Sequence, residues 1–319
     1  MQKLMINYPH VASMVFNTPL YATPEVVAGV KAVLIPRLTG QAGETIGMDV
    51  EDSMPIPSGS GSAEMSERDR ELRSLKIVSK IAIINVHGVL VARRGTIDNT
   101  CSELISYERL RSQIHLAIEH DQVEEIVLDF HSGGGHAMGC KELADFIRAC
   151  TEIKPITAIV NYAAYSAAYF LAAACTKIIC SPTAGAGSIG VIMETMEVSE
   201  WEKNVGIKYN TFYRGNHKND CSPHEALTEQ AAAEINGKLD EAYEIFTGSV
   251  ADYLGLSQQA IIDTQARLFT APQALAAGLV HEIMPAQDAI NAIAQQYIQP
   301  VNQSTIGIRA AAIDKQVQL

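Results

Sequence analysis

Three stretches of this 319-residue chain carry groups that could do chemistry. Ser132-Gly133-Gly134-Gly135 follows the apolar run EIVLDF and reads as a glycine-rich turn directly before a helix. Such backbone offers free N–H groups to an anion, either a phosphate or the oxyanion of acyl transfer. The phosphate fingerprints fail. For GxGxxG begun at Gly133 the third glycine is Met138, and for the P-loop spacing Gly134…Gly139 the lysine position holds Cys140. Oxyanion stabilisation gains weight, beside the plainer reading of a glycine turn kept for tight packing. In Asn161-Tyr-Ala-Ala-Tyr-Ser166-Ala-Ala-Tyr169, Ser166 stands where the run ITAIV passes into an Ala-rich helix. A serine with small neighbours at such a turn is the setting of an activated nucleophile. The GxSxG elbow is absent, and on this stretch alone a helix-capping serine accounts for the residue.

A nucleophilic serine needs a base. His224-Glu225 continues as Ala-Leu-Thr228, so HExxH zinc chemistry has no support, and no metal site or cofactor is expected. The polar cluster Arg214-Gly-Asn-His217-Lys218-Asn-Asp220 offers Lys218, which could act as base where desolvation keeps an amine neutral; composition alone makes it an exposed loop lysine. His217 and Asp220 flank it. Ser188, in Gly187-Ser188-Ile189-Gly190, has no base candidate beside it and reads as a turn or substrate-strand contact.

These residues need a scaffold. From Lys76 onward, β-branched runs (81–86, 125–130, 156–160, 177–180, 189–193) alternate with helical patterns such as Leu143, Phe146, Ile147 and Cys150. Runs apolar on both faces and separated by helices predict a parallel sheet covered by helices, an α/β fold. A long stripe, Ile235, Leu239, Ala242, Phe246 and Val250, predicts a helix from Pro223 to about Leu254, capped by Ser222. A strand 267–270, a helix and a strand 279–284 complete the core. The expected division is an N-terminal extension 1–48 with a short helix from Thr23 to near Pro36, a linker 49–75 with a helical stretch from near Ala63, a catalytic domain 76–288 and a tail 289–319, helical at first.

Composition narrows the class. With 24 Lys and Arg against 36 Asp and Glu, a formal charge of −12 leaves no footprint for nucleic acid. The apolar fraction of 47% builds a sizeable core. The six cysteines form no CxxC and read as reduced, mostly buried thiols of a cytoplasmic protein. The apolar stretch 155–180 is Ala-rich and interrupted by Asn161, Ser166, Thr176 and Lys177, so a buried strand and helix explain it better than a membrane span.

In family order, INVHGVLV (84–91), Cys101-Ser102…Ser106-Tyr107-Glu108, SGGG (132–135), AAYSAAY (163–169), GSIGVIM (187–193), YRGNHKNDCSP (213–223) and FTAPQALAAGLVHEI (269–283) resemble the serine peptidase family of signal peptide peptidase A. FNTPLYATPE (16–25) is similar to its lambda-type phage head-maturation branch. The resemblance implies Ser166 as nucleophile, Lys218 as general base, and Gly134 and Gly135 at the oxyanion; Ser188 and Gly190 are assigned to substrate contact. It further implies the crotonase/Clp-peptidase-like fold of right-handed strand–helix turns, a homo-oligomer, and polypeptide substrates among phage scaffold, portal or capsid proteins, in the host cell or procapsid. Tyr162, Tyr165 and Gly133 depart from the family's usual Gly, Ala and Pro, and the tyrosines are expected to narrow the site. Val191, twenty-five residues after Ser166, stands where a Clp-type triad needs His. Two other readings stay open: an idle scaffold-binding protein with a vestigial dyad, and an acyl-CoA hydratase or isomerase, which would need acidic residues near the glycine turn and neither Ser166 nor Lys218.

Overall fold

A computed structural model of the chain describes residues 16–38, 75–93 and 104–297. The linker save Leu75, the helical stretch near Ala63, the Cys101-Ser102 approach and the end of the tail lie outside the described residues.

Four strands form the centre: β3 (Ile81–His87), β6 (Glu125–Ser132), β8 (Ile156–Tyr165) and β9 (Lys177–Cys180). All pair in parallel, β3 with β6, β6 with β8 and β8 with β9, as runs apolar on both faces require. The connections carry α2 (Tyr107–Glu119), α3 (Cys140–Cys150) and α4 (Ala167–Ala173). The sheet is extended at one edge by β2 (Lys76–Val78), antiparallel to β3, and at the other by β10 (Gly185–Gly187), parallel to β8, followed by β11 (Leu268–Thr270), antiparallel to β10. A smaller sheet runs β1 (Leu20–Ala22), β7 (Gly134–His136), β4 (Leu90–Val91), β5 (Ile105–Ser106). The α/β class with parallel strands and a helical C-terminal part is thus as expected.

Helix α4 is apolar all round and wholly buried, every residue from Ala167 to Ala174 at 0% exposure, so the 155–180 stretch is core. No helix among the described residues is long and apolar enough to cross a membrane. Cys140, Cys150, Cys175 and Cys180 are buried free thiols and Cys221 is half-buried; burial lifts Cys180 to about 11.

Several elements differ from expectation. The glycine turn does not run straight into a helix: β7 intervenes because β1 and β4 flank it on both sides, and α3 starts only at Cys140. β8 extends to Tyr165, through residues read as a turn. Residues 189–193 form no strand, only an isolated bridge at Ile192. The long helix, α6 (Glu229–Leu254), starts six residues later than Pro223. Thr228 caps it, its hydroxyl accepting from the Ala231 N–H, while Glu202 binds His224 (2.7 Å) and Tyr209 stacks on it, holding the Ser222-Pro223 stretch as a loop. The strand at 279–284 shrinks to β12 (Glu282–Ile283). α1 (Pro24–Leu38) passes Pro36, and α9 (Ala286–Tyr297) crosses the 288/289 division, packing Ala289 and Ile293 on Ile81, Val127, Ile159 and Ile179.

Two expectations for stability follow. A methyl group on Gly135 would overlap the Leu90 carbonyl across the β4–β7 pair, so Gly135→Ala should cost about 1–3 kcal/mol, read by denaturant unfolding. His281 accepts the Ile178 N–H through Nδ1 (3.0 Å); burial, and then the Lys177 charge, hold its imidazole below the usual range. The unfolded chain therefore binds this proton more readily, and stability is lost as pH falls below about 6.5. The thermal midpoint should drop between pH 7 and 5 less steeply in His281→Asn, whose amide oxygen can accept the same bond.

Candidate active site

Between the end of β8 and the start of α4 lies one residue, Ser166, at φ 55° and ψ −119°. A non-glycine residue held there stores about 1–3 kcal/mol of strain and marks a place where the surroundings over-determine the backbone. The Ser166 N–H donates to Gly187 O (2.8 Å), and the Ser166 carbonyl accepts from the Phe170 N–H (2.9 Å). The side chain makes no capping bond to α4, so the capping explanation is corrected: the turned backbone aims Oγ away from the helix amides. Oγ instead donates weakly to Gly190 O, at 3.5 Å. Such a sharp strand-to-helix turn is how α/β-hydrolases present a nucleophilic serine.

Gly134 lies directly against this turn. A methyl group built on it would sit 3.0 Å from Ser166 Cβ and 3.1 Å from the Ala167 nitrogen, and its φ of 102° itself favours glycine. Its N–H donates to Ser132 Oγ (3.1 Å), whose hydroxyl donates on to Gly88 O (2.6 Å). Gly135 pairs with Tyr21 and Leu90 across the small sheet. Ser188, buried and also at positive φ, donates its N–H to Arg267 O and accepts from the Gly190 N–H through its carbonyl. The structure therefore gathers Ser166, Gly134, Ser188 and Gly190 at one turn, with Gly135 one step along β7.

Lys218 is not among them. It lies exposed in the 214–222 loop; its backbone N–H donates to Gly215 O, and among the described residues its ammonium has no ion pair or hydrogen bond, to Ser166 or to any other group. His217 and Asp220 bind each other (2.8 Å) and Gln230 rather than Lys218. Around this loop stand Phe212, 90% exposed, and Tyr209, Tyr213 and Leu227, all exposed. Tyr162, 64% exposed, leans on His131, and the Tyr165 ring lies over Gly185; neither is placed by any contact against Ser166. No group of three or more His, Cys, Asp or Glu converges as metal ligands among the described residues.

Sequence reasoning missed two neighbours of this turn. The Ala167 nitrogen, next to Ser166, would lie 3.1 Å from a methyl group on Gly134; an amide in that place, immediately after the serine, was legible from the turn type alone. Tyr21 meets Gly134 through its carbonyl oxygen from far upstream, with no local signal to reveal it.

Residues 148–299 match the model of peptidase family S49, a span that holds both Ser166 and Lys218. The chain is 31% identical over 289 residues to the capsid assembly protease C of Escherichia phage lambda and 32% identical over 289 residues to the head-tail preconnector protein GP5 of Enterobacteria phage P21. These alignments cover 89% and 90% of the chain but 65% and 57% of the relatives, so the chain spans roughly three-fifths of their length. A putative signal peptide peptidase SppA of Enterococcus faecium is 27% identical over 74% of the chain and 68% of its own length. A solved ClpP1 mutant from Listeria monocytogenes superposes on 66% of the chain and 94% of its own at 15% identity and a TM-score of 0.38. By its family match over residues 148–299 and its phage relatives, the chain is similar to peptidase family S49.

Proposed function

We propose that the protein is a serine endopeptidase of phage head maturation, working through a Ser166/Lys218 dyad. The observation that carries this reading is the strained, non-capping backbone of Ser166 beside Gly134. Ser166 Oγ attacks a peptide carbonyl while Lys218 takes its proton; the new oxyanion is held at the backbone of Gly134 and Gly135 and by the Ala167 amide, the Gly134 N–H turning to it from Ser132 Oγ. The C–N bond then breaks as Lys218 returns the proton to the leaving amine, and water hydrolyses the acyl-enzyme by the same route. No metal or cofactor takes part. The substrates are scaffold, portal or capsid polypeptides, in keeping with the names of the phage relatives, in the host cell or procapsid.

The dyad is completed between subunits of a homo-oligomer. A solvated lysine amine keeps its proton near neutrality, and burial releases it. Lys218 is exposed in the single chain, in a stretch that also exposes Tyr209, Phe212 and Tyr213, and Ile235 and Leu239 of the following α6 are only half-buried. An apolar surface of this kind is the type that a neighbouring subunit covers. Head-to-tail contacts that close give a ring.

Ser166→Ala and Lys218→Arg should each lower peptide hydrolysis at least about a thousand-fold with an unchanged unfolding curve, since guanidinium does not give up its proton. Wild-type rate should climb from neutral to alkaline pH and ignore EDTA. Normal hydrolysis by either variant removes that residue from the mechanism. Mixing Ser166→Ala with Lys218→Ala under conditions of subunit exchange should restore partial activity; an inert mixture, with exchange demonstrated in wild-type controls, places the dyad within one chain.

A further inference from the structure

The segment Phe16–Thr23 lies in a slot whose two walls both lead back to Ser166. On one side β1 runs antiparallel to β7, Leu20 opposite His136, Tyr21 opposite Gly135 and Ala22 opposite Gly134. The ladder continues at both ends: Ala137 N–H donates to Pro19 O and Thr23 N–H to Gly133 O. On the other side Leu20 and Ile192 exchange both backbone bonds (2.8 and 3.0 Å), and Asn17 N–H donates to Glu194 O. The first wall ends on Gly134, which packs on Ser166; the second begins at Gly190, whose carbonyl accepts the Ser166 hydroxyl.

Direction and register matter here. Because β1 is antiparallel to β7, its successive residues step from His136 down to Gly134, toward the nucleophile. The chain then leaves the slot: Pro24 opens α1, a residue with no N–H to continue a ladder. An extended chain bonded on both edges by backbone, with side chains read by pockets, is how sheet edges take up peptides. Here the pocket is explicit. The Tyr21 side chain is 2% exposed, its ring 4.6 Å from Phe246 and 5.8 Å from Phe170, and its hydroxyl donates to Ala242 O at 2.6 Å. The aromatic walls come from α4 and α6, not from the strap, so they remain when the strap leaves.

We infer that residues 16–23 are an intrachain stand-in for substrate: a strap that fills the substrate channel, and a guide to what the channel selects, namely an extended polypeptide with an aromatic residue opposite Gly135. This deepens the peptidase reading and rests on it for the word substrate. Substrate enters as the strap is displaced, and Tyr21 sets how strongly the strap competes.

The test uses full-length protein and a fluorescent peptide of residues 16–25, followed by anisotropy in the Ser166→Ala background so that no turnover is needed. Adding Tyr21→Ala should tighten peptide binding about tenfold by removing the internal competitor, and a peptide carrying Tyr21→Ala should bind about tenfold more weakly than its parent. Tyr21→Phe, which keeps the ring and loses only the bond to Ala242, should move binding the same way by roughly two- to fivefold and serves should Tyr21→Ala unfold the chain. Equal binding to strap-intact and strap-weakened chains, or indifference to the peptide's tyrosine, overturns the inference. Labelling of Ser166 by a fluorophosphonate in the Ser166-intact chains is the separate arm. Absence of labelling in every variant sinks the hydrolase reading, while the anisotropy still decides whether the channel takes this strand.

Discussion

The site depends on one backbone constraint: β8 must stop pairing at Tyr165 and become a buried helix at Ala167 with a single residue between. That is possible only with a positive φ at Ser166, and only if nothing intrudes from the facing chain. Gly134 meets the second condition by having no side chain, Gly187 O and α4 meet the first by holding the Ser166 amide and carbonyl. The strain is repaid by the core. Eight successive residues of α4 and its end, from Ala167 to Ala174, are fully buried, so the helix cannot shift to relax the turn. The nucleophile is therefore aimed by main chain rather than by rotamer.

Lys218, the base of the proposed dyad, is held on the opposite plan. Lys218 sits in a polar loop whose own partners, His217, Asp220 and Gln230, bind one another. On the proposed mechanism, a buried serine and an exposed lysine within one chain describe an unfinished site. In the proposed oligomer, completion by a neighbour would resolve both halves together, burying the amine and bringing it to a serine that is already in place.

How much was legible follows from which forces act locally. The strands β3, β6, β8 and β9 were readable because apolar β-branched runs have few other uses, and the tight turn at Ser166 because an Ala-rich helix follows such a run, while a role for Ser166 came only from the family resemblance. β10, made of Gly185, Ala186 and Gly187, carries no strand propensity; it exists because β8 and β11 offer it edges. The start of α6 was misassigned because Ser222-Pro223 and Thr228 both satisfy a capping pattern, and only the tertiary contacts of His224 choose between them. β7 and the strap at Tyr21 were hidden for the same reason: each is created by a partner more than a hundred residues away.

The all-buried character of α4 also divides the molecule by its tolerance of change. Any enlargement along Ala167–Ala174 has nowhere to go but into the strained turn, so that flank of the cleft accepts neither new volume nor new shape. The opposite flank, built from the irregular 190–194 stretch and half-buried side chains, has more room to change beyond Gly190, where a side chain would press on Ala266. On the proposed reading, altered preference for what is threaded through the cleft is therefore to be sought, and engineered, on that outer flank, with Ser166 left on a platform that sequence drift cannot readily touch.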